Sequence, residues 1–449
     1  MATGVRAITA GWVVAITLAG LALRIAAARG GLWLDEAWSA SFAADVATPA
    51  AVFLGINHDN NHHLNSLWLQ WVGADASPVV QRALSILSGT ATIPVAAAIA
   101  GRRGRAAAIV AAVAFALSPF LVTYGAEARG YAPMLCAWTV AIGIADRFLE
   151  RPAEPPRATA MALAALLGCM AQATMAFGLG ALGLWVLIAR IRAAGVPSGV
   201  IGTARLFAPA AVLTLGFAVL VWAAADAAGG LRFGNREAHD WLRWMQAMVQ
   251  LWDYGLGVAA LVLLLVALGA TSRDRLGGLA LGAGVGLPLL VALAALPNSG
   301  AARYYAVAVP PVLLWAAVLL PRAAMRPAAA IVAISFLTAS IVRDGQLVAN
   351  LRGDPDRPVR AMIAAAPGGT NTSLEQERSG AILIAAARTH GYALAIAPPC
   401  PAAAFHFVER DGDAAFPAQP AVCGHAYGEV TRGDPSGLSG THWRLYARR

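Results

Sequence analysis

Long apolar runs, separated by short connectors that carry Arg residues, fill the first 342 positions of the chain. A helix needs about 20 apolar residues to cross a hydrocarbon core of roughly 30 Å. The pattern predicts an all-α membrane region of about eleven transmembrane helices. Residues 158–191 are almost continuously apolar, so the fifth and sixth helices could also be one. The predicted boundaries lie near 8–28, 83–100, 106–124, 132–149, 158–174, 177–191, 206–226, 249–269, 277–296, 305–320 and 327–342.

The distribution of Arg residues indicates the orientation. With the N-terminus in the cytoplasm, the cytoplasmic connectors together with Arg6 hold fourteen Arg residues, and the opposite connectors hold six besides Arg82 at the end of the first outer loop. Positive residues concentrate in cytoplasmic connectors, so this count favours separate fifth and sixth helices and an extracytoplasmic C-terminus. The apolar run at 8–28 is longer than a signal-peptide core, and we expect it to remain as the first transmembrane helix.

Two of the predicted extracytoplasmic connectors are long. Tryptophan favours the membrane–water interface, so we expect helices that lie along the membrane surface in both. The segment 62–73 is apolar on one helical face and fits such a helix. The first outer loop spans 29–82 with Trp33, Trp38, Trp68 and Trp71, and the second connector spans 227–248 with Trp241 and Trp244.

The C-terminal residues 343–449 are rich in Pro, Gly, Asp and Arg, with short apolar runs such as 381–384. About a hundred residues can bury only a small core. We therefore expect a transmembrane catalytic region, 1–342, followed by a small soluble extracytoplasmic α/β domain. A disulfide between Cys400 and Cys423 is expected if this domain lies outside the cytoplasm; two free thiols are the alternative.

Composition narrows the class of protein. The chain is 59% hydrophobic and 13% charged, whereas a soluble domain is about a quarter charged. The formal net charge is +9 and all 33 basic residues are Arg. A basic chain can bind nucleic acid, but these Arg residues lie mostly in connectors, so we expect no nucleic-acid partner.

Two adjacent carboxylates, Asp35 and Glu36, follow the first predicted helix. Charges close to a bilayer are costly unless they are paired or functional. A carboxylate there could deprotonate an acceptor hydroxyl that lies within hydrogen-bond reach. The alternative is the start of an interfacial helix, with Asp35 as a cap and Glu36 in the first turn. Composition alone favours that alternative.

A polar segment at 57–65 contains three His residues and one Asp. Such a cluster could suggest a metal, but its spacing matches no closed zinc site. His62 is a candidate contact to a substrate or a phosphate, and simple solvation of a loop is the alternative.

Two further Arg residues stand at predicted extracytoplasmic helix ends. Arg129 shares a short hairpin with Glu127 and Tyr131, and Arg303 precedes Tyr304. Arginine can bind a phosphate through two parallel hydrogen bonds. The alternatives are an Arg129–Glu127 pair that caps two helices and an Arg303 that snorkels to the interface. The favoured topology places all of them on one side of the membrane, together with Asp35, Glu36 and His62.

These motifs resemble those of a known family. The Asp-Glu-Ala-Trp-Ser stretch 35–39 resembles the acidic first-loop motif of GT-C glycosyltransferases, in particular the family 39-like branch with protein O-mannosyltransferases and lipid A aminoarabinose transferases. Residues 118–131 resemble that branch's second loop motif. His62-His63-Leu64 resembles its His-Pro-Pro-Leu stretch, but His63 stands at the first Pro and the second Pro is missing or replaced by Leu64. Arg303-Tyr304 resembles an Arg-Tyr near a late helix. The resemblance covers 10–150 and 297–320 and is silent for 343–449.

The resemblance implies an enzyme of the cell inner (plasma) membrane whose active site faces the extracytoplasmic side. Its partners would be a polyprenyl-phosphate sugar donor, membrane lipid and an acceptor protein, glycolipid or glycan. Asp35 would act as the general base, Glu36 would orient the acceptor or support Asp35, and Arg129 with Arg303 would bind the phosphate. No cofactor or metal is required. A transporter or flippase of lipid-linked sugars and a membrane scaffold are the alternative functions.

Overall fold

The structure is a computed structural model that describes residues 2–56, 62–230, 237–258, 261–262, 265–266, 274–322, 327–412 and 414–449, with side chains from residue 8 onward. Seven of the described helical segments are long and apolar enough to cross a membrane. The chain is therefore a multi-pass membrane protein, and the predicted all-α membrane region is confirmed. The seven segments are Ile8–Ala27, Ala83–Gly101, Tyr131–Glu150, Met175–Ala227, Leu276–Leu293, Ala302–Arg322 and Pro327–Gly353.

The first half of the membrane region alternates long helices with short ones. The short helices follow the first long one and form the long predicted loop. The elements are α1 (Ala2–Ala27), α2 (Leu34–Ala44), α3 (Pro49–Leu54), α4 (His63–Val72), α5 (Pro78–Gln81), α6 (Ala83–Gly101), α7 (Arg105–Leu117), α8 (Pro119–Tyr124), α9 (Tyr131–Glu150) and α10 (Ala158–Ala171).

The second half begins with the longest helical segment and ends at the C-terminal domain. Its elements are α11 (Met175–Ala227), α12 (Trp241–Leu256), α13 (Leu276–Leu281), a π-helical turn (Gly282–Gly286), α14 (Leu287–Leu293), a 3₁₀ turn (Ala302–Ala308), α15 (Val309–Arg322) and α16 (Pro327–Asn350).

Breaks between and within helices decide whether the apolar stretch 158–191 forms one helix or two. Helix α10 ends at Ala171 and α11 begins at Met175, so the fifth and sixth predicted helices are separate. Helix α11 is interrupted at Gly195, whose φ is 79°. The chain reverses direction there, as the close approach of Gly199 to Ile191 shows. A Cβ on Gly199 would lie 2.8 Å from the backbone nitrogen of Ile191. The predicted helices 177–191 and 206–226 are thus the two arms of a hairpin.

Three predicted boundaries were wrong. The predicted helix 106–124 is broken at Ser118, because Pro119 lacks an amide hydrogen and starts a new helix. Helix α12 begins at Trp241, where Asp240 caps it by accepting from the Arg243 amide at 2.9 Å, and not at 249. Part of the predicted helix 249–269 lies outside the described residues. The last predicted helix, 327–342, continues to Asn350.

The predicted surface helix in the first loop is present as α4. It buries His63, Asn65, Ser66 and Leu69. Trp71 is 78% exposed. An exposed tryptophan on this helix fits a helix that lies at a membrane surface.

The C-terminal residues form the predicted small α/β domain. Two helices, α17 (Arg357–Ala365) and α18 (Gly380–Thr389), pack on one mixed sheet. The strand order is β2-β1-β3-β6-β5-β4; β1 pairs with β2 and β3 in parallel, and the other pairs are antiparallel. Cys400 and Cys423 form the expected disulfide. The strands are β1 (Thr370–Leu374), β2 (Leu394–Ala397), β3 (Phe405–Arg410), β4 (Ala421–Val422), β5 (His425–Gly433) and β6 (His442–Arg448).

Candidate active site

Asp35 and Glu36 both lie in the first turn of α2, but they enter different surroundings. The Asp35 side chain is 25% exposed, whereas the Glu36 side chain is fully buried. Residues one apart on a helix do not share a face. Each carboxylate is therefore free to serve a separate purpose.

The Asp35 carboxylate bridges two guanidinium groups. Its Oδ2 atom lies 2.9 Å from Nη1 of Arg129 and 3.0 Å from Nη1 of Arg303. Arg129 comes from the short connection before α9, and Arg303 comes from the 3₁₀ turn before α15. Three distant parts of the sequence thus meet at one oxygen atom. Two positive charges against one negative charge leave this cluster with a net charge of about +1.

His62 extends the cluster on the other side of Arg129. Its Nδ1 lies 3.1 Å from the carbonyl oxygen of Ala171, and its Nε2 lies 2.9 Å from Nη2 of Arg129. A carbonyl can only accept and a guanidinium can only donate, so Nδ1 carries the hydrogen and Nε2 accepts. Burial, helped by the positive charge of Arg129, holds the pKa of His62 well below its ordinary value of 6.5. The neutral ring orients the guanidinium toward Asp35.

A glycine makes this arrangement possible. A Cβ on Gly130 would lie 1.7 Å from the carbonyl oxygen of Ala171 and 2.8 Å from Nδ1 of His62. A side chain at this position would therefore push the connection that carries Arg129 away from His62 and from the end of α10.

Aromatic rings line the same cluster. The Tyr131 ring lies 5.2 Å from the His62 ring, and the Arg129 guanidinium carbon lies 5.8 Å from the Tyr131 ring centroid. The Arg303 guanidinium carbon lies 5.6 Å from the Tyr304 ring centroid. Aromatic faces attract cations and also offer apolar walls. The site can therefore receive a ligand with both an anionic and an apolar part.

Glu36 belongs to a second, fully buried cluster. Its carboxylate accepts from Nε of Arg82 at 2.8 Å, from the Ala128 amide at 2.6 Å and from the Trp33 amide at 3.2 Å. Burial alone would raise the pKa of Glu36, but the charge and hydrogen bonds of Arg82 outweigh burial and hold this pKa below its ordinary value. Of the two roles expected for Glu36, support of Asp35 fits this geometry, and contact with an acceptor does not.

Glu127 joins this buried cluster and does not pair with Arg129. Its Oε1 atom lies 3.8 Å from Nε of Arg352, a residue at the end of the last long helix. Burial raises the pKa of Glu127 to about 7. The alternative of an Arg129–Glu127 pair that caps two helices is therefore wrong, because Arg129 pairs with Asp35.

Six of the eight candidate residues come together around Asp35, and Glu36 and Glu127 lie in the cluster behind it. Arg82 and Arg352 were missed by the sequence analysis. Arg82 directly precedes an apolar run, as Arg303 does, so the same sequence signal marks both residues. Residues 57–61 of the His-rich segment lie outside the described residues. Among the residues that are described, no group of three or more His, Cys, Asp or Glu could hold a metal ion.

Comparison with known proteins adds a likeness of fold only. No protein-family model matches the chain, and no curated protein matches it. The crystal structure of the Archaeoglobus fulgidus oligosaccharyltransferase in complex with Zn and sulfate is similar over 86% of this chain and 62% of that chain, with a TM-score of 0.49 and 12% identity. The chain thus spans less than two thirds of that protein. Such a likeness does not establish an activity, because one fold hosts many functions.

Proposed function

We propose that the chain is a membrane glycosyltransferase that transfers a sugar from a polyprenyl-phosphate donor to an acceptor hydroxyl on the extracytoplasmic side. The observation that supports this proposal most is the bridge from the partly exposed Asp35 carboxylate to Arg129 and Arg303. It combines a potential base with two potential phosphate ligands at one end of a membrane bundle. The resemblance of the loop motifs to GT-C enzymes adds separate support.

The charges of the cluster suit a phosphate that departs. A polyprenyl-phosphate sugar is a phosphodiester with a single negative charge, and the lipid phosphate gains a second charge as the sugar leaves. Two fixed guanidinium groups stabilise the charge that develops in the transition state. The Nε atoms of Arg129 and Arg303 are buried and have no hydrogen-bond partner in the described part of the chain. Phosphate oxygens could accept from them.

The reaction then needs one proton acceptor. The acceptor hydroxyl oxygen attacks the anomeric carbon as the bond from that carbon to the phosphate oxygen breaks, and the bonding electron pair leaves with the lipid phosphate. Asp35 takes the hydroxyl proton and later releases it to water. The transition state resembles an oxocarbenium ion, and attack opposite the phosphate inverts the anomeric centre.

Donor binding also frees the base. In the structure, Arg129 and Arg303 both donate to Asp35. A bound phosphate must therefore replace Asp35 as the acceptor for some of these hydrogen bonds. Asp35 is then less tightly paired when the acceptor arrives. Glu36 keeps its contacts to Arg82 throughout, because it is buried behind the cluster.

The experiment measures transfer from a panel of polyprenyl-phosphate hexoses and pentoses, together with binding of a polyprenyl monophosphate to the purified protein in detergent. Arg129→Gln and Arg303→Gln should each weaken phosphate binding by roughly tenfold, the usual loss for a charged hydrogen bond. Arg147→Gln is the matched control, since Arg147 lies at the other end of α9. Equal binding by all three variants, or no release of lipid phosphate from any donor, would contradict the proposal.

A transporter of lipid-linked sugars is the second candidate, and one observation favours it. Arg24 and Asp344 are buried within long apolar helices, and buried charges inside membranes often mark transport pathways. However, Arg24 donates to the carbonyl oxygens of Phe115 and Ala116, where α7 ends, which gives it a structural purpose. The transfer assay separates the two functions, because only an enzyme consumes the donor.

A further inference from the structure

The amino end of α2 is only partly capped by its own sequence, because Glu36 accepts from the Trp33 amide at 3.2 Å but the Leu34 amide has no partner in its own helix. Its N-cap residue is Trp33, and an indole cannot accept a hydrogen bond from an amide. The first amides of a helix have no partner inside the helix and need an external acceptor. This end of α2 carries Asp35 in its first turn, so its stability bears directly on the position of the candidate base.

Thr441 of the C-terminal domain supplies the missing acceptor. The Leu34 amide lies 3.2 Å from Oγ1 of Thr441, a residue 407 positions away in the sequence. Thr441 is buried and immediately precedes β6. The hydroxyl therefore satisfies the first amide of α2 from another domain, whereas an N-cap side chain of the helix itself would accept from the second or third amide.

The Thr441 hydroxyl is held in place by the junction between the last long helix and the C-terminal domain. The Thr441 amide donates to the Arg352 carbonyl at 3.2 Å, and the Trp443 indole donates to the Gly353 carbonyl at 2.8 Å. The Arg352 guanidinium donates in turn to the carbonyls of Ala27 at 2.7 Å and Thr123 at 3.0 Å. The cap is thus anchored to the ends of α1 and α8.

This junction has an unusual backbone. Four consecutive residues, Leu351 to Asp354, have positive φ values of 49°, 57°, 91° and 49°. Only one of them is glycine, and the other three have a conformation that L-residues rarely adopt. The first loop packs closely against the residues that follow this junction. A Cβ on Gly31 would lie 2.7 Å from the Asp356 amide nitrogen, so only glycine fits there. A strained, closely packed junction is retained where its geometry is needed.

Packing supports the same contact. The Leu34 side chain packs against the apolar core of the C-terminal domain, which includes Phe407 and Trp443. Ala381 and Ala385 of α18 pack against the cluster that contains the buried face of α2. The C-terminal domain therefore touches the helix of Asp35 through both a hydrogen bond and a hydrophobic surface.

We infer that Thr441 is a positioning residue for Asp35, which makes the C-terminal domain a working part of the candidate active site. Its hydroxyl fixes the first turn of α2 so that Oδ2 of Asp35 stays between Arg129 and Arg303. The inference rests on the proposed transfer function for its catalytic consequence. The cap itself is independent of that function.

The test compares Thr441→Val, which removes the acceptor at nearly constant volume, with Thr441→Ser, which keeps it. Thr372→Val is the matched control, because the Thr372 hydroxyl is also buried in the C-terminal domain but bonds the Ser373 carbonyl and not α2. Hydrogen exchange of the peptide that covers residues 33–38 should accelerate by about fivefold in Thr441→Val, the effect of a typical lost cap. The Thr441→Ser variant and the control should exchange as the wild type does.

Transfer kinetics supply the catalytic readout. In Thr441→Val, kcat should fall by about tenfold to a hundredfold, since small misplacements of a catalytic group have effects of this size. The donor KM should stay nearly constant, and Thr441→Ser should restore kcat. If Thr441→Val folds poorly, Thr441→Ala removes the same acceptor with a smaller side chain.

The outcomes separate the two proposals. Unchanged exchange in Thr441→Val would overturn the cap, and faster exchange with an unchanged kcat would overturn the positioning role. A wild-type protein that consumes no donor, with the exchange result as expected, would overturn the proposed function and leave the cap established.

Discussion

The guanidinium of Arg82 holds the carboxylate of Glu36 with two hydrogen bonds, from Nε to Oε1 at 2.8 Å and from Nη2 to Oε2 at 2.5 Å. Both side chains are fully buried. The other donors of Arg82 reach the carbonyls of Ala28, Gly30 and Gly31. This pair therefore ties the end of α1 and the start of α2 to the beginning of α6, directly behind Asp35.

Removal of one partner from this pair should destabilise the protein strongly. Glu36→Gln leaves the Arg82 charge buried without its carboxylate, and such losses cost about 3–5 kcal/mol. We expect a similar loss for Arg82→Met and a smaller one for Arg82→Lys. Unfolding temperature in detergent is the measurement. A decrease in the free energy of unfolding below about 1 kcal/mol, the range of surface ion pairs, would show that the Arg82–Glu36 pair does not stabilise the fold.

The pair should also contribute to acid sensitivity. The pKa of Glu36 is lower in the folded protein than its ordinary value of 4.5. Its contribution to stability is therefore fully present above pH 4.5 and is lost as the pH falls through the folded pKa. Glu36→Gln should unfold with less dependence on pH in this acidic range than the wild type.

Asp35→Asn should abolish transfer and yet bind a polyprenyl monophosphate more tightly. The amide cannot take a proton from the acceptor, and it no longer competes with the phosphate for Arg129 and Arg303. We expect affinity to rise by about tenfold, the change from one charged hydrogen bond. Titration of the purified variant measures this affinity, with Asp45→Asn, at the other end of α2, as the control. Weaker binding by Asp35→Asn would contradict the exchange of partners between carboxylate and phosphate.

Glu127 should make the protein less stable as the pH rises toward neutrality. Burial raises the pKa of Glu127 from 4.5 to about 7, so the folded state binds more protons than the unfolded state between these values. Stability then decreases with increasing pH in that window, by roughly 3 kcal/mol in total. Glu127→Gln, which mimics the protonated acid, should lack this decrease. Unfolding temperatures of both proteins between pH 4.5 and 7.5 test this; parallel curves would refute it.

Gly130→Ala should disrupt the cluster around Asp35. The new Cβ would lie 1.7 Å from the Ala171 carbonyl oxygen, so the connection that holds Arg129 must move. We expect reduced stability and roughly a hundredfold lower transfer, because the phosphate ligand is displaced. Gly180→Ala is the control, since nothing lies within 4 Å of its Cβ position. Equal behaviour of the two variants would contradict the close approach at Gly130.

The membrane region was predictable because its signal is local. An apolar run of sufficient length must form a helix within a bilayer, as every backbone polar group needs a partner there. The same local rule failed where packing or a break decides a boundary. Pro119 divides one apolar run, and Asp240 starts α12 eight residues earlier than the run suggests.

The residues around Asp35 were predictable in type, since charges at helix ends are rare enough to stand out. Their pairing was not. The spacing of these charged residues along the sequence does not show that Arg129 pairs with Asp35 or that Arg352 pairs with Glu127. The folded chain brings partners together across hundreds of residues, and burial then makes each pairing costly to change.

By itself, the sequence determined a multi-pass helical protein with a small C-terminal α/β domain and a set of charged residues at helix ends. Hydrophobic length and residue type carry that information, and both are local properties. Only the tertiary structure decided that Asp35 faces two Arg residues while Glu36 is buried against Arg82, and that Thr441 caps the helix of both. These choices depend on which distant surfaces pack together, because hydrogen bonds across hundreds of residues leave no periodic trace in the chain.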